Sequence, residues 1–242
     1  MTNPFPEQPL YFIDAEFIED SRRRTIDLIS IGIVCDDGRE YYACNDECDL
    51  SKANDWVKAS VIPSLPSKHI GVNPGNPDVS PSVRQDILRW KTRDMIAADI
   101  LEFCSPKKYG NPIYWGEWSS FDWVVFCWIF GDMIDLPEGF PMRCRDVIQW
   151  AEDHLGIGEE ELPPSLETEG NRNALLGARS VKRKWQHCWE IEVFGETQKD
   201  ALYSALMDRC DRVTHLLQGE NVGAALAEVA ELRKEVERLA NA

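Results

Sequence analysis

The stretch LYFIDAEF, Leu10 to Phe17, constrains the fold of this chain more than any other. Phe12, Ile13 and Phe17 mark an apolar strand that is central and buried, yet the strand carries Asp14 and Glu16. Side chains alternate faces along a strand, so the two acids point the same way, about 7 Å apart at strand rise. Carboxylates in such a setting need a compensating charge. The rest of the sequence has to supply that charge or attract it.

Elsewhere the chain reads as alternating strands and helices. Residues 25–35 alternate and then turn apolar, and Asp37-Gly38 is a strong hairpin signal before residues 39–44. Three antiparallel strands are therefore expected to open the protein. A helix over residues 56–62 ends at Pro63, and residues 63–82 form a loop rich in Pro, Asn and Ser. One amphipathic helix is expected over residues 83–104, with Ser82 as its cap. A strand follows over residues 112–118, then an apolar helix over 121–130, a helix over 145–155 and a basic helix over 173–189. This pattern predicts a mixed α/β sandwich over residues 1–190. In the helical extension, residues 191–242, Val222, Ala225, Val229, Leu232, Val236 and Leu239 recur in steps of three and four. Such a seam suits either a short coiled coil with a second copy or a helix docked on its own domain.

Composition narrows the function. The 242 residues carry a formal net charge of -16, the opposite of a nonspecific polyanion binder. Any nucleic-acid contact must be local or bridged by metal. The 8 cysteines include no C-x-x-C pair; Cys44 and Cys48 have no second pair or clustered His beside them, so the cysteines read as small buried thiols. The opening MTNPFPEQ has no basic or apolar targeting segment, and no stretch is long enough to span a bilayer. A cytoplasmic protein with reduced thiols is expected.

The chemistry lies in a third acid. Asp122 stands where the strand over 112–118 hands over to an apolar helix. Asp at a helix start is commonly a cap. Taken with Asp14 and Glu16, however, it makes a set of three carboxylates in apolar surroundings. Oxygen ligands without Cys or His select Mg²⁺ or Mn²⁺ over zinc. Two such ions about 4 Å apart activate a water and stabilise the leaving oxygen in phosphodiester hydrolysis.

The stretches FIDAEFIED, TIDLISIGIVCDDGREYYACN, SSFDWVVFCWIFGDMIDLPEGFPM and EGNRNALLGAR resemble the DEDDh 3'-5' exonucleases, and among them the ribonuclease AS branch, over roughly residues 9–190. The resemblance implies an RNase H-like fold and a magnesium-dependent, homodimeric exoribonuclease that trims single-stranded RNA from its 3' end. Asp14 and Glu16 match the first motif, Asp122 matches the second, and Phe17 resembles a position the family uses near the nucleotide.

The third motif departs from the family pattern. Its general-base His is Arg172 here, and its metal-binding Asp is Gly177. Arg cannot accept a proton at neutral pH, and loss of a general base costs about 10²–10⁴-fold. Weakened cleavage is expected, with Arg172→His and Gly177→Asp together restoring more than either alone. Two rivals stand beside this reading: an inactive RNA-end-binding or regulatory module, and an assembly protein acting through its C-terminal helix. Glu167 or Glu169, on the loop before the motif, could swing in as a substitute. His187, ten residues past Gly177, lies too far along the helix to do so. Arg172 reads either as a solvent-facing residue or as a guanidinium that grips phosphate. Arg22–Arg24 and Arg179–Lys184 could flank one groove, or simply be solvated. Trp115, Trp118 and Trp123 suit the core, and one at a groove could stack a base.

Overall fold

The computed structural model describes residues 8–168, 170–192, 212–213 and 222–240. The chain divides into two compact units between Cys188 and Trp189. In the first unit, three long strands lie antiparallel: β1 (Leu10–Asp20), β2 (Thr25–Cys35) and β3 (Glu40–Asn45). The short strands β4 (Trp90–Lys91) and β6 (Arg145–Asp146) form the edges, and β5 (Ile113–Gly116) lies parallel to β1. The sheet order is β4-β3-β2-β1-β5-β6. Helices cover this mixed sheet: α1 (Asp55–Ser60), α2 (Pro81–Arg89), α3 (Arg93–Phe103), α4 (Pro106–Tyr109), α5 (Ser120–Phe130), α6 (Val147–Trp150) and α7 (residues 174–192). The fold is the expected α/β, RNase H-like arrangement, with a helical C-terminal part.

Alternation along β1 decides what each face carries. Tyr11, Ile13 and Ala15 point to one side, where Ile31, Ile33 and Cys35 of β2 join Ile96 and Ile100 of α3 and Phe126 of α5 in the main core. Even-numbered residues point to the other side. There Phe12 meets Trp185 of α7 with ring centroids 5.6 Å apart, and Ile18 packs with Val57 and Val61 around α1. Asp14 and Glu16 therefore share the face covered by α7. The ladder shifts register between Glu16 and Phe17, leaving Ile29 of β2 as the extra residue. Bulges of this kind re-aim the side chains beside them and recur near active sites.

Two expected helices resolve differently. Residues 83–104 are not one helix, because Trp90 and Lys91 pair with Cys44 and Asn45 of β3. Ser80, not Ser82, caps α2 through its bond from the Val83 N–H, and Thr92 starts α3 by capping Met95. Residues 145–155 begin as a strand, since Arg145 and Asp146 pair with Trp115 and Gly116 of β5. Asp146 then caps α6, which continues as a wider turn over Ala151–Leu155. Seven described cysteines are free and six of them are buried; Cys210 lies outside the described residues. No described helix is long and apolar enough to cross a membrane. In the second unit, α8 (Val222–Ala240) leaves Val222, Leu226 and Val229 exposed.

Glycine brings α7 close to the sheet. Gly32 lies directly opposite Asp14 in the β1–β2 register. A Cβ at Gly32 would stand 2.2 Å from the Ala174 carbonyl oxygen and 2.5 Å from the Leu175 nitrogen. Backbone meets backbone there, so neither side can yield cheaply. Gly32→Ala is therefore expected to lower stability by about 1–3 kcal/mol or more, as overpacking does. Urea unfolding reads this directly, and an unchanged midpoint would show that α7 does not press on β2.

Candidate active site

The first turn of α7 is built for precision. Asn173 caps it, with Oδ1 accepting from the Leu175 and Leu176 N–H groups at 3.0 and 3.4 Å. The Asn173 side-chain amide reaches Tyr42 of β3 at 3.1 Å, and the Arg172 N–H donates to the Ser60 carbonyl at 2.9 Å. The start of the helix is thus tied to β3 and to the end of α1. Gly177, one turn on, lies over Asp14: a Cβ there would stand 2.3 Å from Asp14 Oδ2 and 2.4 Å from its Cγ. The expected repair by Gly177→Asp meets this collision, because any side chain at 177 displaces the Asp14 carboxylate.

A cavity of about 400 Å³ opens beside this contact, lined among others by Asp14, Glu117, Trp118, Glu167, Arg172 and Lys184. The structure brings Asp14 and Glu16 together with Glu167, with one carboxylate oxygen of each lying within 4.8 Å of the others. Glu167 hangs from the loop before α7. Its Oε1 accepts from the Asn173 N–H at 2.7 Å, and its Oε2 accepts from Arg172 Nη1 at 3.0 Å. Its side chain is only 7% exposed. Glu169 lies outside the described residues.

Asp122 stands in the first turn of α5, behind this trio. Its Oδ1 accepts from the Ala15 N–H at 2.9 Å. That N–H needs a partner because the β1–β5 pairing ends at Phe12 and Trp115. Asp122 thus splints β1 to α5, and its charge is still felt by Asp14 and Glu16.

The other expected contact residues scatter. Phe17 is partly buried, joins the main core and packs on Phe121 with centroids 6.2 Å apart. Arg172 engages Glu167 and lies 5.7 Å from the Trp56 ring. Arg179 forms a two-point ion pair with Glu40 at 2.6 and 2.8 Å and does not line the cavity. Lys182 donates to the Cys35 and Asp36 carbonyls. Trp115 and Trp123 are core, whereas Trp118 is 58% exposed at the cavity with a left-handed φ of 50°. Lys184, the last residue of the basic run expected to flank a groove, does reach the cavity wall, where it forms a part-buried ion pair with Glu117. Glu117 escaped the sequence reading. No described His lines the cavity.

The electrostatics follow from this crowding. Burial, then the charges of Asp122, Glu167 and Glu16, push Asp14 well above the usual carboxylate range. Burial and then Glu167 push Glu16 up to about 8, against a smaller opposing pull from Arg172. Burial pushes Asp122 up to about 7, although the Ala15 N–H pulls the other way. An all-oxygen set that resists ionisation by itself is suited to a hard divalent cation.

Two curated proteins, from two strains of Mycobacterium tuberculosis and both described as 3'-5' exoribonucleases, are each 35% identical to this chain over 176 residues. The alignment covers 73% of this chain and 90% of each relative. The chain belongs to this 3'-5' exoribonuclease family. No family model matches it.

For this exoribonuclease-family chain the shifted acids have a thermodynamic consequence. An acid raised in the folded state holds a proton that the unfolded chain has already lost. Its stabilising effect is complete below the unfolded value of about 4.5 and is lost as pH rises through the folded value, about 8 for Glu16. The metal-free protein is expected to lose melting temperature from about pH 5 to about pH 8, with a shallower fall in Asp14→Asn, which removes one of the crowded charges. Thermal melts in chelator read the two slopes; equal slopes would contradict the crowding.

Proposed function

We propose that this chain is a divalent-metal-dependent 3'-5' exoribonuclease of the DEDDh type, close to the ribonuclease AS branch, that shortens single-stranded RNA from its 3' end. One observation carries the reading: the Asp14 and Glu16 carboxylates converge with that of Glu167 beside a cavity that Asp14 and Glu167 line, on a chain whose relatives are described as 3'-5' exoribonucleases. The donors are all oxygens, the chemistry that Mg²⁺ or Mn²⁺ requires. Asp14 and Glu16 would hold the ion, with the expected third ligand, Asp122, adding its charge from its place on the Ala15 N–H. When bound, the ion supplies charge stabilisation at the phosphoryl oxygens and a nucleophilic water at neutral pH.

The chain's own residues supply the rest. Water oxygen bonds to phosphorus as the water gives a proton to solvent, the P–O3' bond breaks, and the leaving 3' oxygen takes up a proton from solvent. The products are a nucleoside 5'-monophosphate and a shortened RNA with a free 3' hydroxyl. Trp118 offers the terminal base a stacking face. It is exposed at the cavity, and its backbone is held in a conformation that costs a non-glycine residue about 1–3 kcal/mol. Such strain persists where function holds it in place, and base stacking on an aromatic contributes about 1–3 kcal/mol.

The missing imidazole sets the speed. Arg172 remains protonated, so the general-base contribution of about 10²–10⁴-fold is absent and turnover is slow. That departure also supports a second reading, an RNA-end-binding module without cleavage. A 5'-labelled single-stranded RNA incubated with Mg²⁺ or Mn²⁺ separates the two. Slow, progressive shortening from the 3' end is expected, with none in Asp14→Ala. Trp118→Ala should raise KM by about tenfold or more, as loss of stacking implies. RNA that stays intact at every metal concentration while still being bound would favour the binding module.

A further inference from the structure

The structure assigns to Glu167 the carboxylate role that Gly177 leaves open, with Arg172 as the residue that positions it. This inference rests on the metal-dependent reading above and extends it to Glu167, on the loop before the third motif, and to Arg172. Three features of the fold lead to it.

The first is room. Gly32 lets the Ala174 backbone seat on the sheet, the bonds to Tyr42 and Ser60 hold the helix start there, and a Cβ at 177 would stand within 2.4 Å of two Asp14 carboxylate atoms. Glycine at 177 is what this close seating requires. A ligand for the same ion must come from somewhere other than the helix.

The second is placement. Glu167 arrives from the preceding loop with an oxygen within 4.8 Å of those of Asp14 and Glu16. Its two anchors, the Asn173 N–H and the Arg172 guanidinium, occupy one site on each oxygen. A carboxylate oxygen accepts at two positions, so each oxygen keeps one free. Asn173 and Arg172 sit at the start of the helix that carries Gly177, so the geometry of the helix start fixes that of the carboxylate. A neutral imidazole at 172 could give only one N–H, whereas guanidinium offers several donors and a permanent charge.

The third is the state of Glu16. It is only 8% exposed, yet a carboxylate oxygen of Glu167, whose side chain is 7% exposed, lies within 4.8 Å of one of its own. Two buried carboxylates that face each other are unfavourable without a shared proton or cation. Had Glu167 been only an ion-pair partner for Arg172, whose side chain is 44% exposed, solvent was open to the pair. Instead the Glu167 carboxylate is turned inward, toward Glu16.

Titration of the full-length protein with Mn²⁺, read by loss of the free-ion electron paramagnetic resonance signal, tests the assignment. Asp14→Asn should abolish binding. Glu167→Gln should fold, because its amide oxygen can still accept from the Asn173 N–H, and should bind Mn²⁺ about tenfold or more weakly, since even outer partners of a metal site contribute that much. Glu167→Asp, which withdraws the carboxylate by one methylene, should fall between. Melting temperatures in chelator verify folding for each variant. Gly177→Asp should lower the melting temperature without tightening Mn²⁺ binding. If Glu167→Gln binds like the wild type while Asp14→Asn does not, the metal site stands and the role given to Glu167 is wrong. If the wild type itself does not bind Mn²⁺, both readings fall. A Gly177→Asp protein that binds more tightly with an unchanged melting temperature would show that position 177 is open, and would also overturn the assignment.

Discussion

The site depends on how closely α7 lies against the β1–β2 pair. Gly32 on the sheet and Gly177 on the helix are the two points where a side chain would separate them. Between these glycines the Asp14 carboxylate is trapped beneath helix backbone, and Asn173 ties the helix start to Tyr42 of β3. A side chain at either position would force the helix outward or turn Asp14 aside. The cavity, its charge and the direction of Glu167 all follow from that contact.

A carboxylate enclosed in this way cannot relax into water. Asp14, Glu16 and Asp122 are each raised, with burial the leading cause and mutual repulsion added to it. Only part of that load is met locally: the Ala15 N–H serves Asp122, Arg172 serves Glu167, and Lys184 is taken up by Glu117. What is left among the described residues is a crowded set of carboxylate oxygens on Asp14, Glu16 and Glu167, the set to which the proposed reading brings a hard cation. On the proposed reading, Arg172 and Gly177 act together: glycine gives the helix its seat, and arginine orients a carboxylate brought from the loop.

Much of this was legible in the residues. Alternation put Asp14 and Glu16 on one face, Asp37-Gly38 announced the β2–β3 hairpin, and the run from Phe121 to Phe130 is the apolar α5. What stayed hidden depends on distant partners. Trp90 and Lys91 read as helical until β3 offers them a ladder, and Arg145 and Asp146 do so until β5 does. Gly177 looks in sequence like a lost ligand, because only the approach of Asp14 shows what glycine permits there. Glu167 was visible as a nearby acid, but nothing in a linear pattern specifies which way a loop carboxylate turns. Arg179 seemed suited to a groove and is instead paired with Glu40, which lies 139 residues earlier in the chain.

The central claim is that the carboxylate set closes through the loop before α7 and not through the helix itself. A crystal of the protein soaked in Mn²⁺, measured at a wavelength where manganese scatters anomalously, locates the ion without reference to activity. The account predicts an anomalous peak bounded by carboxylate oxygens of Asp14, Glu16 and Glu167, with Arg172 still bonded to Glu167 behind it. A peak held without Glu167, its side chain turned away with Arg172 toward solvent, would contradict the account.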